Sequence, residues 1–106
     1  MKYNIPQSRL NELIFKYLDM QDFNMVEKDN EIFFTENVGD EYGFLKYKYN
    51  TGSLFILKVF ADKISNIFGI PVKKAEDIIS LWVENAFDVA VIKTKVENQI
   101  YHFFLF

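Results

Sequence analysis

No cysteine occurs among the 106 residues, and glycine and proline are scarce, at four and two. The first absence removes disulfides, thiolate nucleophiles and cysteine zinc sites together. The second bears on phosphate chemistry. Gly39, Gly43, Gly52 and Gly69 are scattered, and none falls in a phosphate loop or a dinucleotide-binding glycine pattern. No Gly-x-Ser-x-Gly elbow is present either. Histidine occurs once, at His102 between Tyr101 and Phe103, so a Ser-His-Asp triad or an ordinary zinc centre would have to be built around one half-buried ring. There is no apolar run of about 18 residues, and Asn4, Pro6, Gln7, Ser8 and Arg9 interrupt the place where a signal core would lie. A soluble cytoplasmic protein with no membrane partner is expected.

A basic surplus is also lacking. The formal charge is −3, with six Lys and Arg against nine Asp and Glu in residues 1–57 and six of each in residues 58–106. Duplex-binding proteins usually show the opposite balance, because neutralising phosphates supplies most non-specific affinity. The acids gather at Asp29, Glu31, Glu36, Asp40 and Glu41. These are turn positions, where solvated carboxylates are ordinary, and their spacing does not match an EF-hand loop. No catalytic residue, metal ligand or cofactor site is assigned.

What is present is apolar bulk. Half the residues are hydrophobic, including twelve Phe, six Tyr and one Trp. A chain of this length forms one domain, over residues 1–106, and a few large side chains can fill its core.

Leu10, Leu13, Ile14, Tyr17 and Leu18 recur at helical spacing after Pro6, which suits a first turn. Met25 to Glu36 reads as a hairpin turning at Lys28-Asp29-Asn30-Glu31. The polar loop at 38–41 leads into a third strand, Tyr42 to Tyr49, and the turn Asn50-Thr51-Gly52-Ser53 leads into a fourth, Leu54 to Leu57. The period then becomes helical, with Phe60, Ile64, Ile67 and Phe68 on one stripe before Gly69 and Pro71. Ala75, Ile78, Ile79, Trp82, Val83 and Ala86 keep strict helical spacing between Val72 and Phe87, which places Trp82 in the core. Val89 to Lys95, a turn at Glu97-Asn98 and the tail from Ile100 to Phe106 read as a closing hairpin. The expected fold is α+β: an antiparallel sheet of about six strands with three helices packed on one face, in the order αββββααββ.

Two surfaces are candidates for binding. Along the third strand Leu45, Tyr47 and Tyr49 share one face, expected to be core, while Phe44, Lys46 and Lys48 share the other. Aromatics interleaved with lysines on an open sheet can stack unpaired bases, and the strand Tyr42-Gly43-Phe44-Leu45-Lys46-Tyr47-Lys48-Tyr49 loosely resembles the Gly-aromatic strand of RNA-recognition motifs, although the element order differs and Leu45, Tyr47 and Tyr49 are needed for the core. The second candidate is the tail, where Phe104 and Phe106 stand on a strand apolar on both faces. Such a tail must be buried in its own domain or in a partner, and deleting residues 100–106 is expected to unfold the chain.

Two segments carry a resemblance: the opening Ile5-Pro6-Gln7-Ser8-Arg9-Leu10-Asn11-Glu12-Leu13-Ile14-Phe15-Lys16-Tyr17-Leu18, and Trp82-Val83-Glu84-Asn85-Ala86-Phe87. They resemble small uncharacterised accessory proteins of tailed phages of marine type. The resemblance implies a viral accessory protein working in the host cytoplasm and carries over no active-site residue. Aromatic excess without catalytic polar groups favours a non-enzymatic module that meets a protein partner or a second copy. A small-ligand or minor enzymatic domain with a tyrosine-lined cleft, and single-stranded nucleic-acid binding, are the alternatives.

Overall fold

The protein is seen in a computed structural model that describes residues 7–38 and 42–101. Pro6, part of the 38–41 loop, and the tail residues His102, Phe104 and Phe106 lie outside the described residues.

Helix α1 spans Gln7–Met20 and buries Leu10, Ile14 and Leu18 of the expected stripe, with Tyr17 half-buried, while Leu13, at the margin of the stripe, is exposed. Helix α2 spans Lys58–Phe68 and buries Phe60, Ala61 and Ile64, with Phe68 half-buried, whereas Ile67, expected on the same stripe, is exposed. It stops at Gly69, whose φ of 63° lets its N–H return to the Ser65 carbonyl. Helix α3 spans Val72–Phe87, the range its periodicity predicts, and buries Ala75, Ile78, Ile79, Trp82 and Val83.

Strands β1 (Asn24–Lys28) and β2 (Glu31–Thr35) form the first hairpin. Its turn is Asp29-Asn30, and both residues have positive φ (51° and 65°), the left-handed pair that matches strand twist in a two-residue turn. The expected third strand is interrupted. It becomes β3 (Tyr42–Gly43) and β4 (Leu45–Lys48), with a bulge at Phe44. Leu45 is the register partner of Phe34, yet the Phe44 N–H also reaches the Phe34 carbonyl, 3.0 Å away, so two residues oppose one. Gly43 permits the close approach: a Cβ there would overlap the Phe34 carbonyl oxygen and the Phe33 ring.

Strand β5 (Ser53–Leu57) pairs antiparallel with β4, and β6 (Lys93–Glu97) pairs with β5 in parallel. The main sheet is therefore mixed and five-stranded, ordered β1-β2-β4-β5-β6. The class is α+β as expected, but among the described residues the closing hairpin does not form. Strand β7 (Ile100–Tyr101) leaves β6 and pairs with β3 instead.

The sheet is buried on both faces to different depths. Ile32, Phe34, Leu45, Tyr47, Leu54 and Ile56 face the three helices and form the main core with their stripes. Trp82 belongs to it at 7% exposure and donates its indole N–H to Asp19, 2.8 Å away. On the helix-free face Phe33 and Ile100 make a second, small cluster against Val26, Phe55 and Leu57. Ile100 thus lies opposite the helices, at one end of the sheet.

Candidate polyanion-binding sheet face

Register decides what the helix-free face carries, because directly opposed residues on neighbouring strands share a face. One cross-strand row reads Val26, Phe33, Lys46, Phe55, Lys95 from β1 to β6. The next reads Lys28, Glu31, Lys48, Ser53, Lys93. At about 4.8 Å between strands, each row spans about 19 Å. Five lysines of a chain whose net charge is −3 stand on this face with Glu31 and, beside Leu57, Glu97.

The lysines differ in freedom. Lys46 and Lys48 lean on the single carboxylate of Glu31, at 3.6 and 3.8 Å. Glu31 is deeply placed, and its Oε1 has no hydrogen-bond partner among the described residues. Lys93 and Lys95 are exposed, and no described carboxylate lies within ion-pair distance of either. Phe55 is half-buried between these groups, with the Lys48 ammonium 5.6 Å and the Lys95 ammonium 5.8 Å from its ring centroid. Ser53 sits between Lys48 and Lys93 in the second row, its hydroxyl oxygen accepting the Thr51 O–H at 2.9 Å.

Strand β6 takes this place because the segment before it is tied down at three points. The Glu84 carboxylate accepts the Val91 N–H at 2.8 Å, the Ala90 carbonyl accepts the Tyr47 O–H at 2.7 Å, and the Gly52 carbonyl accepts the Ile92 and Lys93 N–H groups at 2.8 and 3.3 Å. Gly52 has φ of 67°, and a Cβ there would run into the Ile92 side chain. Burial pushes the Tyr47 phenol above its ordinary value, and the Glu84 charge adds to the effect.

Of the residues singled out from the sequence, Lys46 and Lys48 lie on this face as expected. Phe44 does not. It is 6% exposed and packs in the main core, its ring centroid 4.4 Å from that of Phe23 and 4.7 Å from that of Phe60. The bulge shifts the strand's phase by one residue, so Phe44 and Leu45 both face the helices. Tyr49, expected in the core, is 39% exposed and reaches Glu27 at the rim. Lys93, Lys95 and Phe55 were not signalled by the sequence, since only the parallel pairing of β6 with β5 brings the two lysines to Phe55.

Among the described residues, one open groove on the helical side is lined by Phe23, Phe44, Phe60 and Lys63 among others, and another lies beside Asp19, Asp22 and Trp82. Among the described residues no three acidic or histidine side chains converge as metal ligands, and no helix is long and apolar enough to cross a membrane. No family model matches the chain, and neither the characterised proteins nor the solved structures contain a significant match to it.

Proposed function

We propose that the protein is a binding module whose helix-free sheet face holds an extended polyanion. The observation that carries this reading is the segregation of charge. Five lysines share one face of the sheet in an acidic protein, and among the described residues no carboxylate lies within ion-pair distance of two of them, Lys93 and Lys95. A local field of one sign attracts an oppositely charged chain even when the whole molecule has the other sign. This reading narrows the broader expectation of a partner-binding module to partners that are strongly acidic.

Glu31 acts as an internal competitor. It occupies Lys46 and Lys48 until a stronger anion displaces it, which sets the affinity and favours multivalent ligands. Fluorescence anisotropy with a labelled heparin fragment and a labelled 15-nucleotide DNA strand, across a salt series, tests the reading. Binding is expected at low salt. For the single strand it should weaken with a log–log slope of about −2 to −3, as release of counterions from three or four phosphates gives. Glu31→Gln should tighten both several-fold. Absence of binding to either probe at low salt would overturn the proposal.

A further inference from the structure

We infer that the polyanion is a single-stranded nucleic acid, with one base stacked on Phe55 and the flanking phosphates held by Lys48, Lys93 and Lys95. This rests on the polyanion reading and adds to it the chemical class of the partner.

Phe55 stands at the centre of the lysine group, paired with Lys46 on one side and Lys95 on the other. It packs against the small Phe33–Ile100 cluster from beneath, which fixes its ring, while its half-buried position leaves it partly open. Phe33, its apolar neighbour in the same row two strands away, is fully buried and offers no surface. In the free protein, Lys48 and Lys95 take up the electron-rich ring face. A phosphate is a stronger partner for an ammonium than a ring is. Phosphates arriving on either side would therefore draw both lysines outward and uncover the ring at the point where a base follows.

That coupling selects among polyanions. A sulfated glycan supplies charge but no flat π surface. A duplex keeps its bases stacked on one another, and a sheet face without a protruding helix or ribbon does not reach their edges. Only an unpaired strand offers phosphates and a free base together, and stacking on an aromatic is tolerant of base identity. Little sequence preference is expected.

The test compares a 15-nucleotide DNA strand, the same sequence as a duplex, and a heparin fragment, each labelled and titrated with the full chain. Phe55→Leu keeps an apolar side chain over Phe33 and Ile100, and a cooperative thermal transition verifies that this variant folds. Single-stranded DNA is expected to bind at least ten-fold tighter than duplex. Phe55→Leu should weaken the single strand about ten-fold, towards the lower end of measured base–aromatic stacking, and leave heparin within two-fold. In Phe55→Trp, the single strand should quench the new indole fluorescence and heparin should not. If Phe55→Leu leaves the single strand unaffected, or weakens heparin equally, the inference falls while the polyanion reading stands. If none of the three probes binds, both fall.

Discussion

At the scale of single residues, Tyr47 links the core to the candidate site. Its ring lies in the main core, and its hydroxyl holds the Ala90 carbonyl in the segment that delivers Lys93 and Lys95. Removing that bond with Tyr47→Phe should cost about 1 kcal/mol at neutral pH. The variant should also change the alkaline limb of stability. Burial raises the folded-state pKa of Tyr47 above its unfolded value near 10. Below about pH 10 the phenol is protonated in both states and its contribution is complete. Above that, the unfolded chain releases the proton first, so stability falls as pH rises towards the raised folded value. Thermal melts between pH 7 and 11 should therefore show a shallower alkaline fall for Tyr47→Phe than for the wild type, with a slope remaining from Tyr49, whose phenol is also pushed up by burial and by Glu27. Parallel curves would mean the phenol is not held in a distinct environment.

At the scale of elements, the register of β6 is what creates the site, and Gly52 sets it. Gly52→Ala must bear a left-handed backbone, at about 1–2 kcal/mol, and its Cβ meets Ile92. Gly69→Ala bears the same kind of backbone cost at φ 63° with nothing within 4 Å of the new atom. Chemical denaturation should show Gly52→Ala as the more destabilised of the two, and polyanion affinity should fall for Gly52→Ala alone. Equal behaviour would show that the Gly52 contact does not position β6. The contrast also shows what a sequence can tell. The three helices and the β1–β2 hairpin are local in origin, since their periodicities, the Asp29-Asn30 turn and the Gly69 stop all lie within the element concerned. Lys46 and Lys48 were readable as a surface pair for the same reason. The bulge at Phe44 was not, because it depends on the Phe33 ring and the Phe34 carbonyl crowding Gly43 from the neighbouring strand. Nor was the partner of β6. Residues 89–106 read as a hairpin, but Gly52, 41 positions before Lys93, captures the start of β6, and β3 captures β7.

At the scale of the whole molecule, an acidic protein carries a basic face on the side of its sheet opposite the helices. Among the described residues β6 is an edge strand bearing Lys93 and Lys95, and edge lysines oppose strand-to-strand association. The most direct measurement compares two charge-reversed pairs for binding of the labelled 15-nucleotide strand at low salt. Lys93→Glu with Lys95→Glu alters the face, and Lys73→Glu with Lys74→Glu makes the same change in net charge on α3. The expected result is a loss of at least thirty-fold for the first pair and less than three-fold for the second, with both variants retaining a cooperative thermal transition. Equal losses would contradict the account, because binding would then follow total charge and not the face that β6 completes.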